Sequence, residues 1–181
     1  MTLLSFSQSS PVEWQALSAD DTDVSALDAN AHVIVPFGAV DALFSKVKAV
    51  TTWVGVVLEP ADDVVALETL LGDIEIILLT FPKFSDGRAY SQARILRDRF
   101  GYRGEIRAVG DILVDQVGFM VRCGFDSMVL APGVSDGAVA RAVERYSLVY
   151  QSASDERLPV HKLRSEGQGG GDALASLGDG I

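Results

Sequence analysis

Cysteine is nearly absent: Cys123 is the only one in 181 residues. One thiol cannot close an intramolecular disulfide or supply the ligands of an iron–sulfur cluster or a cysteine zinc site. Histidine is almost as scarce. His32 and His161 lie far apart and form neither HxxxH nor HExxH, so no structural zinc site and no metal centre is expected. The same scarcity leaves no serine–histidine–acid triad to assemble. GxGxxG and GxxxxGK[ST] are both missing, which removes the Rossmann and P-loop phosphate fingerprints. No uncharged apolar run reaches the roughly 18 residues of a spanning helix. Met1 to Trp14 also lacks the basic start and apolar stretch of a secretory signal. These absences predict a cytoplasmic protein. Bases are outnumbered, 15 Lys plus Arg against 25 Asp plus Glu, for a net charge of −10. Such a chain is a poor partner for nucleic acid or an anionic membrane. What is present is 48% apolar residues, enough for the core of one domain.

The charge is unevenly placed. Met1 to Thr80 holds twelve acids and two bases, whereas Phe81 to Tyr150 holds eight acids and ten bases. The basic excess is densest from Phe81 to Gly110, with Lys83, Arg88, Arg94, Arg97, Arg99, Arg103 and Arg107. The planar fork of arginine suits oxyanions and carboxylates. Two readings stand side by side: a solvated face with local ion pairs, and a patch that faces an anion or an acidic partner.

The first thirty residues are polar and acidic, and read as a loose arm or an edge element. HVIVPF at 32–37 reads as a short strand and Val40 to Val47 as a helix. From there a rhythm sets in. WVGVVL at 53–58 is a buried strand, and Asp62 to Leu71 has helical spacing closed by Gly72. IEIILLTF at 74–81 is nearly continuous, as expected of a parallel strand covered on both faces. A helix from Arg88 to Phe100 puts Ala89, Ala93, Leu96 and Phe100 on one stripe, with Ser85 or Asp86 as cap and Gly101 at its end. Glu105 to Val109 is a strand. Asp111 is expected to cap a helix through Cys123 that Gly124 ends. FDSMVL at 125–130 is another strand, and a helix capped by Ser135 or Asp136 follows to about Tyr150. Four or five βα units with a mostly parallel sheet result, and the fold class is α/β. Both an open three-layer sheet and a partial β/α barrel fit. The expected organisation is an acidic arm at 1–30, the α/β domain at 31–150 and a flexible glycine-rich tail at 151–181, with a turn of helix near Leu174.

Sites in parallel α/β folds form in the loops beyond the carboxyl ends of strands. The candidates are Glu59, the loop FPKFSDGR, Gly110 with Asp111, and Pro132 to Asp136. FPKFSDGR is the richest. Lys83 and Arg88 bring positive charge to a helix start that already favours anions. Asp86 is read either as a cap or as a catalytic group, with Phe84 packing the loop down. The catalytic candidates are Lys83, Asp86, Arg88, Tyr90 and Asp111; Tyr90 and Ser91, in the first turns of the helix, read either as packing or capping residues or as groups that assist at the site. Lys83, Arg88 and Arg107 form the expected anion site. Arg107 lies within a strand, where a charge needs a partner or a site; Glu105, on the same face, and Glu75 are the partners available. Cys123 sits at a helix C-terminus, which disfavours a thiolate, and reads as a buried structural residue.

FPKFSDGRAYSQAR, GYRGEIRAVGD and RCGFD, which fall between Phe81 and Asp126, resemble the core of a bacterial family known as domain of unknown function 934. The family pattern falls on Phe81, Pro82, Lys83, Phe84, Asp86, Gly87, Arg88, Tyr90, Ser91, Arg94, Arg107, Gly110, Asp111, Gln116, Cys123 and Gly124. Relatives tend to have an arginine before the Asp–Gln pair, where this chain has Val114. Members are described as oxidoreductases of sulfite reduction because they accompany assimilatory sulfite reductase. The resemblance therefore implies a role in sulfate assimilation, with a small oxyanion and sulfite reductase or another sulfur-assimilation protein as partners. Whether that role is an oxidoreductase's or a non-catalytic binding or assembly partner's stays open, and no cofactor is named by the residues.

Overall fold

A computed structural model describes residues 2–5, 13–21, 23–155 and 157–165. Seven strands form one sheet: β1 (Thr2–Ser5), β2 (Gln15–Ala16), β3 (Val33–Pro36), β4 (Val54–Leu58), β5 (Ile76–Phe81), β6 (Glu105–Gly110) and β7 (Ser127–Leu130). Five helices accompany them: α1 (Val40–Val50), α2 (Arg88–Arg94), α3 (Val117–Arg122), α4 (Asp136–Glu144) and α5 (Val160–Ser165). The spatial order is β1-β7-β6-β5-β4-β3-β2. β2 to β7 are parallel and each lies beside its neighbour in sequence, so the chain winds in one direction only. The sheet curls into a half-barrel. Of the two expected architectures, the partial β/α barrel is the one formed. The acidic first segment supplies both sheet edges: β2 runs parallel to β3, and β1 runs antiparallel to β7.

Side chains alternate across a strand, and one parity of every parallel strand from β3 to β7 enters the core. Val35, Val56, Ile77 and Ile106 make one row, and Leu58, Leu79, Ala108 and Met128 the next. Against this face pack Leu43, Phe44 and Val47 of α1, Ala89 and Ala93 of α2, Val117 and Met120 of α3 and Val139 of α4. The opposite parity lines the concave face. Gly55 is indispensable there. A Cβ at this position would meet Ile76 Cγ2 at 2.4 Å and Ile34 Cδ1 at 2.5 Å. Those two isoleucines, both buried, close over the glycine from the two neighbouring strands.

Three expected elements differ. Asp62 to Leu71 forms no α-helix but two 3₁₀ turns, Val64–Leu67 and Leu71–Asp73. A ten-residue segment with two β-branched valines, Val64 and Val65, near its start is a weak helix, and the Asp63 carboxylate, accepting from Val65 N at 3.0 Å, holds a tighter turn. The helix after β7 stops at Glu144 instead of Tyr150. Val149 is needed elsewhere, bridging Pro159 and accepting from Val160 N at 2.8 Å. Asp111 caps no helix. The 3₁₀ turn Val114–Gln116 precedes α3, with the Leu113 N–H donating to Gln116 Oε1 at 3.1 Å. Gly101 and Gly124 end their helices in the left-handed region, as expected. α2 continues through a π turn at Ile95–Arg99. Beyond residue 150 the chain still makes contacts: Ser154 N donates to Arg122 O, and Asp155 pairs with Arg122. GQGGG at 167–171 and the turn expected near Leu174 lie outside the described residues. No described helix is long and apolar enough to cross a membrane.

Candidate functional site

β5 delivers FPKFSDGR to the carboxyl edge of the sheet, and β6 delivers Gly110 and Asp111 beside it, because Phe81 and Gly110 are paired in register. Gly110 makes that approach possible. Its φ is +108°, and a Cβ would lie 2.3 Å from the Phe81 carbonyl oxygen. Asp111 N donates to Phe81 O at 2.7 Å, and the Asp111 carboxylate accepts from Phe84 N at 3.1 Å. Gln116 Nε2 donates to Phe84 O at 2.7 Å. Two side chains from the next unit thus hold both polar backbone groups of Phe84. Its ring is 50% exposed, contrary to the expectation that it packs the loop down. Those backbone bonds fix the residue without burying its side chain.

Asp86 and Arg88 are bound to each other. The Asp86 carboxylate accepts from Arg88 Nε at 3.0 Å and from Nη2 at 2.7 Å, and its Oδ1 also accepts Arg88 N–H at 3.2 Å. The guanidinium bonds, then the backbone N–H, hold the carboxyl down at about 2. The N-cap of α2 is Gly87 instead of the expected Ser85 or Asp86; Asp86, one residue earlier, takes the Arg88 N–H and neutralises the arginine expected to receive an anion. Lys83 stands exposed, with no ion pair among the described residues. An anion arriving at the loop meets one lysine and must displace Asp86 to reach Arg88. Sulfate binding followed by NMR on Arg88 Nε is expected to be weak, ~1 mM or poorer, and flat from pH 5 to 8, because Asp86 stays ionised throughout. Asp86→Asn should tighten it by about fivefold.

The remaining candidates are placed elsewhere. Arg107 is buried on the concave face three residues before the strand end, about 10 Å along β6 from Gly110. Its Nε and Nη2 donate to Glu105 Oε1 at 2.9 and 2.7 Å, and Nε also reaches Ser127 Oγ at 3.1 Å. Glu105, not Glu75, is thus its partner, and Ser127 Oγ donates to the same carboxylate oxygen. The structure does not bring Arg107 to Lys83 and Arg88. The Tyr90 ring meets Phe81, Phe119 and Phe125 at 5.2, 5.0 and 6.3 Å between centroids. Burial pushes its hydroxyl up to about 12. Tyr90 is a packing residue that stays protonated, and Ser91 is exposed on the same helix. Arg94 pairs with Asp98 at 2.9 Å. Arg88 and Arg94 are thus solvated side chains with local ion pairs, which is one of the two readings of the segment, whereas Arg107 is paired but buried.

A family model described as a bacterial protein of unknown function, DUF934, matches residues 55–161, more than half of the chain. The chain belongs to this family. The DUF934 match begins within β4 and runs into α5, so it contains the Lys83–Arg88 loop, Asp111, Gln116 and Asp155. No curated protein matches the chain. Cys123, within the DUF934 region, is buried, and burial pushes its thiol up to about 11. Cys123→Ser should cost about 1 kcal/mol of stability, measured by urea unfolding. Asp155 carried no signal in the sequence, since it lies past the last apolar rhythm. Its carboxylate is buried against Arg122 at 3.1 Å.

Proposed function

We propose that this DUF934 protein is a non-catalytic docking component of assimilatory sulfite reduction, which presents the exposed rim around Lys83 and Phe84 to sulfite reductase. The sulfur context rests on the family resemblance. The observation that carries the docking reading is the bidentate Asp86–Arg88 pair beside an exposed Phe84. A rigid loop that holds an aromatic ring outward and neutralises its own arginine suits a protein face better than a small oxyanion. Aromatic residues ringed by polar groups are typical anchors of such faces. The catalytic candidates other than Lys83 are otherwise engaged: Asp111 holds the Phe84 amide, Tyr90 packs, and Asp86 and Arg88 hold each other.

Purification from the native host, with an absorbance spectrum and a list of co-purifying proteins, tests the reading. The expected protein is colourless, turns over no sulfite, and brings sulfite reductase with it at low salt. A visible-absorbing group reduced or oxidised in step with sulfite would establish an oxidoreductase instead.

A further inference from the structure

Among the described residues, eight large hydrophobic side chains are exposed, and half of them surround one cavity on the outer, helical side of the half-barrel. The cavity measures 240 Å³ and lies between α3, α4 and the segment that follows α4. Phe119, Tyr146, Leu148 and Tyr150 line it and are 47–84% exposed. Its volume falls below the roughly 300–1,000 Å³ of small-molecule sites, so it suits a single inserted side chain. Past Asp115 and Ala142 it opens into a groove lined by Arg141 and Arg145. Neither arginine has an ion pair among the described residues, and Arg145 lies 6.0 Å from the Tyr146 ring centre. Arg122 and Arg157, on the far wall, share Asp155. Asp115 is the carboxylate that faces both hollows. The rim is thus positive on a chain of net charge −10, and it borders an aromatic hollow.

We propose that this α3–α4 cavity docks an acidic peptide segment of a partner protein, seating one aromatic or leucine side chain among Phe119, Tyr146 and Tyr150 while Arg141 and Arg145 take its carboxylates. Charge complementarity selects the occupant: arginine forks bind carboxylates bidentately, and an acidic segment is steered to the basic part of an otherwise acidic surface. The aromatic walls supply apolar contact with little loss of side-chain freedom. This site uses neither Lys83 nor Phe84, and stands or falls apart from the sulfite reductase reading.

The test selects a display library of random 16-residue peptides against the full chain and measures the synthetic winners by fluorescence anisotropy. Winners should place Asp and Glu around a Phe, Trp or Leu. Arg141→Glu with Arg145→Glu should weaken them at least tenfold, as should Phe119→Ala or Tyr150→Ala. Lys83→Glu with Phe84→Ala should leave binding unchanged. Arg141, Arg145, Phe119, Tyr150, Lys83 and Phe84 are all exposed, and thermal melting confirms that each variant folds. Winners without acidic bias, or binding indifferent to the arginine reversal, overturn the proposal. So does self-association abolished by Tyr150→Ala, which gives the cavity to a second copy. Tenfold tighter binding in a Leu174→Asp, Leu177→Asp variant overturns it as well, by giving the cavity to the chain's own residues 166–181.

Discussion

Arg97→Ala is expected to destabilise the fold by about 3 kcal/mol, read from urea unfolding with an unchanged m-value. Arg97 lies in the π turn that follows α2, and its guanidinium ties three segments together. Nε donates to Gly124 O at 2.9 Å, and Nη1 donates to Tyr102 O at 2.6 Å and Gly104 O at 2.9 Å. Nη2 bonds the Asp126 carboxylate, which also accepts Ile106 N at 2.8 Å. These contacts connect the entry to β6 with the entry to β7. Removing the guanidinium takes a donor from three carbonyls and leaves the partly buried Asp126 carboxylate with the Ile106 N–H but no cation. Burial already pushes the Asp126 carboxyl up, against the pull of Ile106 N–H and Arg97. Loss of Arg97 raises it further. A carboxyl whose folded pKa lies above its unfolded value favours the fold at low pH, and that support is lost as pH rises through the folded pKa. The variant should therefore lose more stability between pH 4 and 7 than the parent, and adding Asp126→Asn should restore part of the loss. A deficit below 1 kcal/mol would show that the cluster contributes little.

Lys83→Glu combined with Phe84→Ala should abolish growth on sulfate as sole sulfur source while the protein remains folded. Both side chains are exposed, so the cost to stability should stay within about 0.5 kcal/mol. The pairing of residues follows from the geometry. Arg88, the other cation of the loop, is committed to Asp86, so its removal takes away less accessible charge than its position implies. The Phe84 backbone is held by Asp111 and Gln116 while its side chain is exposed, and a residue with an ordered backbone loses less freedom when a partner covers it. Truncating such an anchor and reversing the neighbouring charge should weaken the complex roughly 100-fold or more. Normal growth of the folded double variant would remove this rim from the function.

The parallel strands were legible because their apolar runs are short, dense and bounded by glycine, proline or charge; the match of IEIILLTF to β5 is the clearest case. The curl was one of two readings that the unit spacing allowed, and the packing of Ile34 and Ile76 over Gly55 was not readable, because it joins three residues from three strands. Within the loop, Asp86 was readable as a local partner of the α2 start because its contacts are two residues away. The role of Asp111 was not readable, as its acceptor oxygen serves a backbone amide 27 positions earlier. Arg107 was recognisable as a charge in need of a partner, and Glu105 was within reach on the same face. Its distance from Lys83 depends on position along β6, which spacing in sequence does not reveal. The α2 arginines have their carboxylate partners, Asp86 and Asp98, within the same segment, whereas Arg97 of the following π turn pairs with Asp126, which sequence spacing does not reveal.

The most direct test of the central claim is sedimentation of the purified protein with purified sulfite reductase at low and high salt. A salt-sensitive complex is predicted, weakened at least tenfold between 20 and 300 mM salt and lost in the Lys83→Glu, Phe84→Ala variant. Independent sedimentation of the two proteins at low salt, or a complex untouched by the double substitution, would contradict it.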